Sequence, residues 1–182
     1  GGDWFDGKNI TANRPENVQA FQWVQSYAKI YGARSLQNFT SGFGAFSWSD
    51  DRFMTGKLAM VLQGTWMSRF ISEMAPQLNW SAEAFPSSGG KLKDVTLAEC
   101  NVLVIPRGAK HKSQALEFMR FIQQPENLRH IALNQNKFVP LTNINEDFYS
   151  SHPNKEIKLF TRLSKSPNPH CVPRLPIWQE YV

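Results

Sequence analysis

Twice in this chain a short apolar run breaks at a glycine and gives way to a helix-period stripe. The first run is "KLAMVLQ", Lys57 to Gln63, which meets Gly64 and Thr65 before "WMSRFISEMA" sets Met67, Phe70, Ile71 and Met74 at three- and four-residue steps. The second is "NVLVIP", Asn101 to Pro106, which passes through Arg107 and Gly108 into a stripe of Ala115, Phe118, Met119 and Ile122. A strand, a tight turn and a helix in succession is the unit of an α/β protein, so the pattern predicts that class. In open α/β sheets such junctions line the crevice where ligands bind, because helix N-terminal amides point into it. Thr65 is the expected N-cap of the first helix. Trp66 lies off the 67, 70, 71, 74 stripe, so the core does not obviously claim it, and its ring can serve as the floor of a ligand site or pack against a neighbouring loop.

The remaining segments are consistent with this class. From Pro15 a helix is predicted, with Val18, Phe21, Val24, Ala28 and Tyr31 as its core face and Gly32 as its stop. "SLQNFTSGFGAFSWSDD" has loop composition with aromatic rings displayed on it. Ser49 can cap a short helix beginning at Asp50 and Asp51 and ended by Gly56. "SAEAF" reads as a short strand and "SSGGKLKD" as a surface loop. Pro125 opens a helix carrying Leu128, Ile131 and Ala132, and another follows with Ile157, Phe160 and Leu163. The proline-rich "PNPHCVPRLPIW" is expected to be extended.

With 182 residues the chain can bury a sizeable core. The 41% hydrophobic and 19% charged residues are those of a globular protein. The net charge of +5 is scattered, and its densest patch, Lys91 to Lys93, is too short for a nucleic-acid arm. No nucleic-acid partner is therefore expected. The chain starts at Gly1 and ends at Val182 in a manner that reads as a piece of something longer.

The sequence shows no clear catalytic pattern. His111, His130, His152 and His170 lack metal-ligand spacing, and neither a nucleophile elbow nor a phosphate loop occurs. Asp50, Asp51 and Glu99 could supply the paired carboxylates of a glycoside hydrolase, but adjacent aspartates at a helix start are better read as capping groups. Neither an enzyme nor a cofactor or metal is expected. Cys100 and Cys171 match no metal spacing either. They read as two buried or free thiols, or as a disulfide in a secreted protein.

Taken together, "FMTGKLAMVLQGTW", "VIPRGAKHKSQALEFMRFIQQPENLRHI" and "VPL" resemble the sugar-binding branch of the extracellular solute-binding proteins of ABC transporters, the maltose-binding-protein-like group. Phe53, Gly56, Lys57, Ala59, Met60, Gly64 and Trp66 fit the first family pattern, with one residue fewer before the glycine. Ile105, Pro106, Gly108, Ala115, Phe118, Pro125 and Glu126 fit the second. "RPENVQAFQWV" resembles the helix after the family's Gly-Gly, for which Gly1 and Gly2 stand.

The resemblance implies a type II periplasmic-binding-protein-like, two-lobed α/β fold, only partly present in this chain. Residues 1–86 would belong to the second lobe, 87–97 to a crossover, 98–166 to the returning part of the first lobe, and 167–182 to the crossover back. It implies a periplasmic or extracellular protein that binds a carbohydrate in the cleft and delivers it to ABC permease subunits. Contact with the membrane would come only through the transporter or a lipid anchor outside this chain. The tryptophan after the glycine, Trp66 beside Gly64, would stack on a sugar face. Trp4 and Trp178 are further aromatic candidates, and Glu99, Asn101 and Arg174 are candidate hydroxyl partners. Because the family's crossovers run side by side, a Cys100–Cys171 disulfide is implied in an oxidising compartment. A glycan-processing enzyme, or a binder of glycerol phosphate or another polar solute, is the alternative.

Overall fold

Pro15 stands at the first position of the longest helix, α1 (Pro15–Tyr31), with Glu16 in the first turn and Lys29 in the last, where each suits the helix dipole. Gly32, at φ 83°, ends α1 in a backbone region that only glycine enters cheaply, and its N–H caps Ala28 O at 2.9 Å. The structure, a computed structural model, describes residues 2–41 and 50–172. They fall into two compact units, Gly1–Ala45 with Val172–Val182 and Phe46–Cys171.

In the first unit α2 (Ala33–Thr40) follows directly on Gly32. This corrects the loop expected from Ser35 onward. Once Gly32 has turned the chain, its carbonyl accepts Leu36 N–H and starts a second helix. The rings expected at 42–49 lie outside the described residues, as does Ser49. The core face expected on α1 is also corrected. Val18, Phe21, Val24 and Tyr31 are exposed, and the helix buries only Asn17. Asn17 Nδ2 donates to Asp3 O at 3.0 Å and to Thr11 O at 2.9 Å, tying the N-terminal segment to the first turn of α1. That segment turns on Asp6, whose Oδ1 accepts Lys8 and Asn9 N–H. These bonds, Asn9 first, hold its carboxyl below the usual carboxylate range.

The second unit holds two apolar clusters. In the first, α3 (Met67–Met74) buries Met67 and Ile71 against Met54 and Ala75, with Phe53, Phe70, Met74, Leu78 and Trp80 packed around them. The stripe read from the sequence is thus the face that packs. Residues 51–56 form a turn and not the short helix expected. Asp51 Oδ1 accepts Phe53 N–H at 2.8 Å and Met54 N–H at 3.3 Å, and Gly56 leaves it at φ 72°.

The second cluster gathers α5 (Pro125–Asn134), α6 (Glu146–Ser150) and α7 (Ile157–Leu163) around Ala132, Val139, Phe148 and Ile157. α4 (Lys112–Ile122) precedes them and leaves Leu116, Phe118 and Phe121 exposed. The clusters are bridged. Arg69 Nη1 donates to Asn134 O at 2.9 Å, and Lys155 Nζ lies 4.9 Å from the centre of the Trp80 ring. Residues on both sides of 87–97 therefore share one unit.

The described residues contain one sheet, of two short parallel strands, β1 (Thr96–Leu97) and β2 (Pro169–His170). The strands expected at Lys57–Gln63 and Asn101–Pro106 do not form, and "SAEAF" contributes only the bridge from Phe85 to Val95. A strand exists by its ladder partners, and the described residues offer none to these two runs. Met60, Leu62, Val102 and Val104 consequently stand exposed. The α/β class expected from the sequence is met here by helices with little sheet.

Candidate functional site

The junction at Gly64 is built from the turn outward. Trp66 is the N-cap residue of α3, already helical at φ −60° and ψ −23°, and no side chain caps the helix. The cap expected from Thr65 is thus absent. The turn uses backbone instead: Met67 N–H donates to Gly64 O at 3.1 Å, Ser68 N–H to Thr65 O at 3.3 Å and Arg69 N–H to Trp66 O at 3.0 Å. These bonds occupy the amides expected to face a ligand, so recognition at this junction falls to side chains.

Trp66 is the side chain placed for it. The residue is 41% exposed, with no aromatic partner among the described residues. It folds back over Gly64, where a built Cβ would fall on the Trp66 six-membered ring. Gly64 is needed for space and not for an unusual φ, and its missing side chain leaves room for the ring. An exposed aromatic ring can take the apolar C–H face of a ring-shaped polyol. Two residues on, Ser68 Oγ is buried without a hydrogen-bond partner among the described residues.

The other candidates are dispersed. Glu99 and Asn101 sit just past β1 in an exposed segment, and neither side chain has a hydrogen-bond or ion-pair partner among the described residues. Trp4, in the first unit, is half-buried and meets Phe21 edge-on, with ring centres 5.7 Å apart. Arg174 and Trp178 lie outside the described residues. Cys100 and Cys171, for which the resemblance implies a disulfide, are free and exposed, and Cys171 Sγ–H donates to Ala98 O at 3.0 Å. The register of β1 on β2 sets Cys171 opposite Ala98, two residues short of Cys100.

Sequence reasoning assigned Gly64 to the turn and missed its role as the seat of the ring. The signal was present in the spacing, since a glycine two residues before a tryptophan leaves room for that ring.

Among the described residues no three His, Cys, Asp or Glu side chains gather in a way that could hold a metal ion, and no helix is long and apolar enough to cross a membrane. A family model described as bacterial extracellular solute-binding protein matches residues 1–156. Comparison with curated proteins and with solved structures returns no match.

Proposed function

The chain belongs to the bacterial extracellular solute-binding proteins, periplasmic or cell-surface components of ABC transporters, and from that premise we propose that its solute is a carbohydrate stacked on Trp66. The family accounts for a small-molecule ligand and for permease subunits as partners. The choice of a sugar rests on one observation: an exposed tryptophan ring seated on Gly64 at the start of α3. A pyranose presents an apolar C–H face to such a ring and hydroxyls at its edge. Amide and carboxylate side chains of the kind at Glu99 and Asn101, or a guanidinium such as that of Arg174, can pair with those hydroxyls. Trp4 and Trp178 are secondary aromatic candidates. The protein acts by capture and delivery to the permease, without a chemical step.

The test is a titration of the full-length protein with a panel of mono- and oligosaccharides, followed by tryptophan fluorescence and calorimetry. One sugar should saturate the signal, and Trp66→Ala should cost about 1–3 kcal/mol of binding. An unchanged affinity in the mutant would remove Trp66 as the platform. A flat response to neutral sugars with saturation by glycerol phosphate would make the cargo a phosphorylated polyol, and cleavage of an oligosaccharide would make the protein an enzyme.

A further inference from the structure

The pairing of β1 with β2 brings the chain's two cysteines to one place. Thr96 stands opposite Pro169 and Leu97 opposite His170, and Ala98 N–H continues the ladder to His170 O at 2.8 Å. Cys171 is the next residue on one strand, and Cys100 lies two residues past Ala98 on the other. β1 ends at Leu97, and a chain continued in extended form through Ala98 would set Cys100 on the face of Ala98, diagonal to Cys171. In a parallel pair, a strand spacing of about 4.8 Å and a two-residue offset of about 6.6 Å set such Cα atoms about 8 Å apart. A disulfide spans about 4.4–6.8 Å, so a shift of an ångström or two closes the gap.

The two sides differ in how firmly they are held. The β2 side is stitched to the strand before Ala98: Ser166 Oγ donates to Asp94 O at 2.5 Å, Asn168 Nδ2 to Lys93 O at 2.9 Å, and Arg162 pairs with Asp94 at 2.9 Å. Residues 99–105, Cys100 among them, make no backbone hydrogen bond among the described residues. Both thiols are exposed and open to an oxidant.

We propose that Cys100 and Cys171 are a modification site, closed to an intramolecular disulfide in the oxidising space outside the cytoplasm. The oxidant is a disulfide, either a small molecule or a protein dithiol oxidase. One protein thiolate attacks it, forming a mixed disulfide and releasing a thiol. The second protein thiolate then attacks the bound protein sulfur, forming the Cys100–Cys171 bond and releasing the other thiol. In total, two protons and two electrons pass to the oxidant. The bond would join the two ends of the segment that carries α4 to α7. It depends on the family's location and not on which solute is carried.

The experiment takes the folded, full-length protein with oxidised glutathione as the probe, alkylates remaining thiols, and digests with trypsin without reduction. The expected product, in the monomer fraction, is peptide Asp94–Arg107 joined to peptide Ser166–Arg174, separable by reductant and absent in Cys100→Ser and Cys171→Ser. Linkage should be about tenfold or more faster in the folded protein than in urea, because the fold raises the effective concentration of the pair. Two alkylated peptides, two glutathione-capped peptides, a link found only in dimers, or equal rates folded and unfolded would each overturn the proposal.

Discussion

At Gly64 a single hydrogen in place of a side chain decides where an aromatic ring lies. Replacing it with alanine puts a methyl group where the Trp66 ring rests, so the ring must lift from the backbone. The backbone of Gly64 is open to alanine, because its φ is not in the left-handed region. Gly64→Ala should therefore leave folding nearly intact while weakening solute binding by about tenfold, close to 1.4 kcal/mol. Calorimetry on the variant, beside its melting temperature, separates the two effects. Full affinity in a folded Gly64→Ala would show that the ring's seat on the backbone is irrelevant. Trp66 was legible in the sequence as a ring the α3 stripe leaves over. The Gly64–Trp66 spacing leaves room for that ring, but whether the ring takes the room depends on its rotamer and the local turn, which no pattern of residue types records.

Among the elements, α1, α3, α4, α5 and α7 follow from the sequence, while α2, α6 and the strands do not. Pro15, Gly32, Pro125 and the 67, 70, 71, 74 stripe act over a few residues, so α1, α3 and α5 lie where local chemistry puts them. Lys57–Gln63 and Asn101–Pro106 have strand composition but need neighbours far away in sequence, and composition cannot supply a ladder. The turn between α6 and α7 was equally illegible. There His152 is buried with Nδ1 accepting Asn154 N–H at 3.0 Å and Nε2–H donating to Lys137 O at 3.1 Å, the neutral tautomer. Asn154, also buried, accepts Glu156 N–H at 2.9 Å at the start of α7. Burial holds the His152 pKa below its ordinary 6.5. A depressed histidine pKa means the unfolded chain takes up the proton first, so stability is complete above pH 6.5 and falls as pH drops below it. Urea melts from pH 7.5 down to about 5 should show this decline. His152→Gln should flatten it, and an equal slope in the variant would assign the effect to other groups.

On the scale of the whole molecule, apolar burial is unevenly shared. Every residue of the two buried apolar clusters belongs to the second unit, from Met54 to Ile157. In the first unit the residues tied down are polar, Thr11 and Asn17, while Trp23, Val24, Ile30 and Tyr31 remain exposed along α1. Buried apolar area is the main favourable term in folding, and local opening is cheapest where that area is small. Amide exchange should therefore be slowest in α3 and in α5 to α7, where Ile71, Ala132, Phe148 and Ile157 sit, and faster throughout α1 despite its greater length. Helix length alone would predict the reverse, since interior amides of a 17-residue helix are better shielded from fraying than those of a seven-residue one. Hydrogen exchange followed by mass spectrometry on residues 1–182 distinguishes the two. Protection in α1 equal to that in α7 would mean that its apolar face is covered in solution, and the exposed stripe of Phe21, Val24 and Tyr31 would then be an interface and not a free surface.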